Sequence, residues 1–315
     1  MNTPGVHRSK ITFPYRALSG WCWPAVDIVG RSAGPRLAVM AGVHVNEVSS
    51  IEAAIRLQRA IEPSELSGRI SIIPILNLPA VPKRSQYVCP LDNKNINFSF
   101  PGQPAGTFAE AMAHAILNDW AADADILVDL HGGDLCEAVS HFMVVQCTGN
   151  PEFDASALAY ARCFDAQLIV RLAPSHMQVA GRSCTGRALR CQHAVFAEAG
   201  RIGLIEERNV AFHFEGVLRL AAHLGMISSD PPRRREPVVA DEYVWIPAPA
   251  DALYRYRVEA GQKVAKGMVL ATGEDTYGEN VAAVLAPKDG YILWTLTHPL
   301  VQRDSFIMGL AVVIT

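Results

Sequence analysis

An α/β fold with a mainly parallel, mixed sheet and helices on both faces is predicted by three features of this sequence. Short apolar runs end on glycine or on a polar group, amphipathic segments alternate with them, and the alternation stops near residue 228. Apolar runs of that length are buried strands, and strand–helix alternation is the pattern of a sheet covered on both sides.

The elements follow in order. AVDIVG (25–30) and LAVMAG (37–42) are the first two strands, each closed by glycine. Ser49 or Ser50 is placed to N-cap the amphipathic segment IEAAIRLQRAI. RISIIPIL (69–76) is a strand, and TFAEAMAHAILNDWAAD (107–123) carries apolar residues three and four apart, as a helix does. ADILVDLH (124–131), HFMVVQC (141–147), QLIVRL (167–172) and HAVFAEAG (193–200) are further strands; ASALAYARCF and VLRLAAHLGMI are further helices. SSDPPRRREPVVADE is polar and proline-rich, so a first domain is expected over 1–230, a linker over 231–242 and a small all-β domain over 243–315. In that tail, Gly261-x-x-Val264-x-x-Gly267-x-x-Leu270 and Ala286-Pro287-x-x-Gly290 resemble the half-barrel of biotinyl and lipoyl carriers. The carriers' attachment lysine has no counterpart in GENVAAVL, which leaves the tail a structural or lid role.

Composition excludes several classes. A net charge of −3 gives no electrostatic reason to bind nucleic acid or an anionic membrane. The one basic run, Arg233 to Arg235, lies among prolines and reads as solvated linker. Seven scattered cysteines without a C-x-x-C pair argue against a zinc ribbon or a disulfide framework, and imply reduced thiols in a cytoplasmic protein. The N-terminus lacks the apolar core of a signal peptide. No apolar run reaches the roughly 18 residues of a membrane span. The expected partner is a small-molecule substrate, and association into a homo-oligomer is allowed.

Chemistry gathers at strand ends, where open α/β sheets bind ligands. GVHVNE supplies His44 and Glu47, DILVDLH ends on His131 before Gly132-Gly133, and VFAEAG contains Glu198. Two histidines, one carboxylate ligand and one spare carboxylate are the components of a catalytic zinc site with one Zn2+ per chain. An H-x-x-E pair alone proves little among ten histidines; its place after a buried strand gives it weight. Asp129, two residues before His131 on the same strand face, is positioned to orient that imidazole. Glu198 sits among alanines, where an unpaired charge is costly to bury. His141, His176 and His193 read as structural, and Cys184 and Cys191 as plain thiols rather than nucleophiles.

GVHVNE, NLPAVPKRSQYVCPLDNKNINFSFPG (77–102), DLH and AEAG together resemble the succinylglutamate desuccinylase/aspartoacylase family, zinc enzymes with a carboxypeptidase-like fold. The resemblance implies that His44, Glu47 and His131 hold zinc and that Glu198 is the general base. It implies that Arg84 polarises the scissile carbonyl and that Asn97 contacts the substrate. Phe98 stands where the family has a carboxylate-binding arginine, and Val45 where it has glycine. Two readings of Phe98 stay open: a neutral pocket, or a carboxylate clamp moved to Arg187 or Arg190. The implied activity is deacylation of a small N-acylated amino acid or related amine by metal-activated water. The alternatives are a metallocarboxypeptidase acting on a small peptide and a non-catalytic small-molecule binding protein on the same scaffold.

Overall fold

The structure, a computed structural model, describes residues 3–178, 181–228, 231–232 and 235–313. Its first half contains β1 (Gly5–Ile11), β2 (Trp23–Val29), β3 (Ser32–Ala41), β4 (Ser67–Ile73), β5 (Ile126–His131) and β6 (Glu137–Gln146). Then come β7 (Leu168–Leu172), β8 (His193–Arg201), β9 (Val238–Ala240) and β10 (Glu242–Pro247). Strands β4, β3, β5 and β8 lie side by side and parallel, and β6 joins β8 antiparallel, so the expected mixed, mainly parallel centre is present.

Side-chain alternation assigns the two faces. Ile126, Val128 and Leu130 of β5 pack into a core with the helices α1 (Val48–Ala60), α3 (Pro151–Ala161) and α5 (Glu207–His223). Leu127 faces the other core, shared with α2 (Phe108–Ala115) and with Cys184 of α4 (Ser183–Ala188). A period of two therefore sends Asp129 and His131 to the α2/α4 side.

Two local expectations are corrected. Helix α1 begins at Val48 with Glu47 in the N-cap position, so neither serine caps it. Ser50 Oγ instead donates to the Glu47 carbonyl at 2.7 Å, and Ser49 Oγ to the Leu204 carbonyl at 2.9 Å. The helix expected over 107–123 is α-helical only through Ala115 and continues as a π-turn over Ile116–Trp120.

The tail consists of strands, as expected: β11 (Ala252–Tyr256), β12 (Lys263–Val264), β13 (Val269–Glu274), β14 (Asn280–Leu285), β15 (Gly290–Leu296), β16 (Leu300–Val301) and β17 (Phe306–Val312). A separate four-stranded sheet is formed by β14, β13, β11 and β16. The main sheet also runs through the tail, because β15 pairs with β6 at Trp294↔Val139, and β17 and β10 follow it. The expected linker over 231–242 already contains β9, paired in parallel with β7. Arg233 and Arg234 of the basic run lie outside the described residues.

Arg187 and Arg190, the two candidates for a relocated carboxylate clamp, face the scaffold instead. Arg187 is fully buried, and its guanidinium donates to the carbonyls of Ala121, Ala124 and His193 and to Gln192 Oε1. Arg190 donates to the Leu117 carbonyl at 2.8 Å and to Asn118 Oδ1 at 2.6 Å. Both pin the end of α4 to the segment entering β5. Arg187→Met is expected to lower the unfolding free energy by more than about 3 kcal/mol, because three carbonyls, two of them in buried hydrogen bonds, lose their donor. Urea denaturation measures this, and a loss below about 1 kcal/mol would refute the structural assignment.

Candidate active site

Three buried side chains converge at the carboxyl ends of β3 and β5. His44 and Glu47 come from the loop between β3 and α1, and His131 is the last residue of β5. Glu47 bridges the histidines: Oε1 lies 2.6 Å from His44 Nδ1, and Oε2 lies 3.0 Å from His131 Nδ1. One ligand atom from each residue falls within 4.8 Å of the others, so the group could hold a metal ion.

Each remaining imidazole nitrogen faces a side-chain oxygen. His44 Nε2 donates to Asn95 Oδ1 at 3.0 Å, an oxygen that also accepts from the Asn97 backbone N–H. His131 Nε2 lies 3.0 Å from Asp129 Oδ1, and Ser183 Oγ donates to the other oxygen of Asp129 at 2.5 Å. These outer partners leave both Nδ1 atoms turned toward Glu47, as metal-binding histidines require. Glu47 Oε2, Asp129 Oδ1 and both ring nitrogens of His131 are buried without a well-aligned hydrogen bond among the described residues. Burial opposes the charge on Glu47, but the two imidazoles outweigh it and bring its pKa down to about 2. Burial likewise opposes protonation of His131, and the carboxylates of Asp129 and Glu47 raise its pKa well above the ordinary value. An anionic carboxylate and a proton-attracting nitrogen are a site where a divalent ion can replace a proton. The donor set therefore fits a metal.

Glu198 enters through sheet register. It pairs with His131 across β5 and β8, and with Phe142 across β8 and β6. Burial first and the charge of Glu47 second push its carboxyl well above the usual range, against His131 and Arg182. Gly132 allows this close packing: a Cβ there would come 2.3 Å from the Ala199 carbonyl oxygen of β8. The close approach at Gly132 and Gly133 is thus made by backbone.

His44, Glu47 and Glu198 line a cavity of about 420 Å3. Asn97 and Phe98 line it, as expected from their motif. Arg84 does not: it closes a 3-10 turn in the left-handed conformation, and its exposed side chain lies outside the lining. The guanidinium that does line the cavity belongs to Arg182, which sequence reasoning passed over. It lies over the rings of Phe98, Phe196 and Tyr243 at 5.6–5.8 Å. Also missed were Tyr87, Glu137 and an aromatic wall of Tyr243, Trp245, Trp294 and Phe306 from the tail. Period-two alternation in β10, with Val244 and Ile246 in the tail's core, is the signal that could have placed Tyr243 and Trp245 elsewhere. Cys184, by contrast, is buried, its thiol pushed up to about 11, and does not line the cavity.

The succinylglutamate desuccinylase/aspartoacylase catalytic domain matches residues 33–224. The chain is 25% identical over 275 residues to the N-alpha-acetyl-L-2,4-diaminobutyric acid deacetylase of Halomonas elongata, covering 85% of this chain and 79% of that protein. Among solved structures, it is similar to the product-bound ectoine utilization protein EutE from Ruegeria pomeroyi, with a TM-score of 0.86, 24% identity, and 99% and 96% of the two chains covered. It is also similar to a succinylglutamate desuccinylase/aspartoacylase from Rhodobacter sphaeroides, with a TM-score of 0.87, 23% identity, and coverage of 100% and 97%. At these identities the structural likeness speaks for the fold.

The purified chain is expected to hold one divalent metal ion through His44, Glu47 and His131, and His44→Ala and His131→Ala are expected to lose it. Asp129→Asn is expected to weaken metal binding by about 10–100-fold while leaving the ligands in place. Elemental analysis and competition with a chelator measure both, and unchanged metal content in the two alanine variants would refute the site.

Proposed function

The chain belongs to the succinylglutamate desuccinylase/aspartoacylase family, and we propose that it is a zinc-dependent hydrolase of the amide bond in a small N-acylated amino acid. The observation that carries this reading is the placement of Glu198 beside His131 of the buried His44–Glu47–His131 group, in one cavity with His44 and Glu47. The Halomonas elongata relative, by its name an N-acetyl amino-acid deacetylase, supports the same bond type.

Zinc bound there would supply Lewis acidity and lower the pKa of water from ~15.7 toward ~7. His44 and His131 offer it neutral nitrogens, and Glu47 offers an anionic oxygen. Glu198 accepts the proton released as water attacks the acyl carbon, and returns it to the leaving nitrogen as the C–N bond breaks. The products are the free carboxylic acid and the amine. Arg84 keeps its carbonyl-polarising role in this proposal on its motif alone.

The substrate's own carboxylate is assigned to Arg182, with the side-chain amide of Asn97 beside it in the lining. Phe98 then does not empty the pocket of positive charge; its ring carries the Arg182 guanidinium. The clamp is relocated, and Arg182 rather than Arg187 or Arg190 supplies it. The small cavity, walled on one side by aromatic rings of the tail, fits an amino-acid derivative better than a peptide.

Glu198→Gln is expected to retain metal and fold while kcat falls by about 100-fold or more, because only the proton transfer is removed. Release of free amine from N-acyl amino acids, followed under saturating substrate, measures it; activity within a few-fold of wild type would exclude Glu198 as the base.

Arg182→Ala is expected to raise KM for a free-carboxylate substrate by about 10–100-fold and to remove any preference over the matching carboxamide. Comparison of kcat/KM for the two substrates tests the clamp, and a preserved carboxylate preference in the variant would place the clamp elsewhere.

A further inference from the structure

Tyr87 is held in a backbone conformation that side chains rarely adopt. Its φ is 58°, and across it the Val88 N–H donates to the Gln86 carbonyl at 2.6 Å. A turn of that size with positive φ at its centre is the rare, strained form of the γ-turn. Such strain persists only where neighbours impose it, and it gathers at functional sites. The neighbours here are specific. Buried Asp134 accepts the Tyr87 N–H at 3.3 Å, and Gln86 Nε2 donates to Cys136 Sγ at 3.3 Å. Asn46 Nδ2 donates both to the Ser85 carbonyl at 3.2 Å and to Asp134 at 2.9 Å. Asn46 lies between His44 and Glu47, so the strained turn and the metal-binding loop are fixed to one carboxylate.

What this turn presents to the cavity is a phenol. Tyr87 lines it together with His44, Glu47 and Glu198, and its ring stands edge-on to His44 at 5.9 Å. A phenol carries its proton at neutral pH and can donate it in a hydrogen bond. Other polar groups of the lining already have roles. Arg182 rests on three rings and is assigned to the substrate's carboxylate, the Asn95 amide orients His44, and the Tyr243 hydroxyl accepts from Trp294 Nε1 at 2.8 Å. Arg84, assigned to the scissile carbonyl by its motif, lies outside the lining.

We propose that Tyr87 is a catalytic residue whose hydroxyl donates a hydrogen bond to the acyl oxygen as negative charge develops on it. This rests on the deacylase reading, which supplies the reaction. Water adds to the acyl carbon, the C=O electron pair moves onto the oxygen, and the phenol stabilises that charge while keeping its own proton. When the C–N bond breaks, the pair returns to the carbonyl, and Glu198 carries the water's proton to the leaving nitrogen. A donor fixed before the reaction begins stabilises the charge without having to turn toward it, which gives the imposed strain a use.

Tyr87→Phe removes the hydroxyl and keeps the ring against His44. With zinc-loaded protein and N-acyl amino acids, kcat is expected to fall by about 100-fold, with KM within about 3-fold and metal content unchanged. A phosphonamidate of the same amino acid, with tetrahedral phosphorus in place of the acyl carbon, gives a readout free of turnover. Calorimetry is expected to show it binding about 30–100-fold more weakly to Tyr87→Phe, while the free product amino acid binds both proteins alike. A kcat within about 3-fold of wild type, or a phosphonamidate bound equally by both proteins, overturns the proposal. So does a raised KM at unchanged kcat, the mark of a contact made equally in the ground and transition states. Loss of metal from the variant would make Tyr87 a support for His44, and overturns it as well. If the wild type cleaves no N-acyl amino acid yet binds the phosphonamidate through the Tyr87 hydroxyl, the deacylase reading falls and the Tyr87 hydrogen bond stands. If both proteins cleave alike, Tyr87 loses its role and the deacylase reading stands.

Discussion

The site depends on one carboxylate placed between two imidazoles. Glu47 touches Nδ1 of both His44 and His131, and it is buried there because it occupies the N-cap position of α1. A buried anion needs compensation from every side, and much of the neighbouring polar structure supplies it. Asn95 orients His44, and the Ser183–Asp129 pair orients His131. Asp134 is fully buried and ties three loops together: it accepts from Asn46 Nδ2 at 2.9 Å, from the Leu135 N–H at 2.5 Å and from the Tyr87 N–H at 3.3 Å. Three chain segments far apart in sequence are thereby held around the same few cubic ångströms of charge.

How much of this could be read from the sequence depended on whether a residue's direction follows from its element. His131 ends an apolar strand of the parallel centre and Glu198 lies near the end of its neighbour β8, and such ends have one place to go. Their neighbourhood was therefore legible, as was the role of Asp129 two residues before His131. Arg182, Arg187 and Arg190 show the opposite case. All three lie close to α4, and distance along the chain from Glu198 does not say which way each guanidinium turns. Only packing decides: Arg187 meets the open carbonyls at the start of β5, while Arg182 meets the rings of Phe98, Phe196 and Tyr243. Ser49 and Ser50 misled for a related reason, since a serine in the first turn of a helix can bond to a nearby carbonyl as readily as it can cap: Ser50 turns back to the Glu47 carbonyl and Ser49 reaches that of Leu204.

The tail was harder to read because its glycine pattern describes only one of its two faces. Leu270, Ile292 and Leu310 form its own core, and Leu293, Trp294 and Ala311 belong to the core of the main sheet. Strands β15 and β17 thus serve two interiors at once. Gly309 shows how closely they are fitted, since a Cβ there would come 2.2 Å from Trp294 Nε1. A reading based on the carrier-like turns finds a separable module, whereas the cross-strand pairs join it to β6.

That shared pair of strands has a consequence for how the protein is born. During synthesis His44, Glu47 and His131 emerge first, and the parallel centre can form once β8 has left the ribosome. The cavity wall cannot follow until β15 and β17 arrive more than 90 residues later, and contacts so distant in sequence are slow to form. Until then the start of β6, with Glu137, presents unpaired backbone to water and to other nascent chains. The pocket is the last part of the molecule to exist, so an interrupted translation product holds its ligand residues on an open sheet with no enclosure around them.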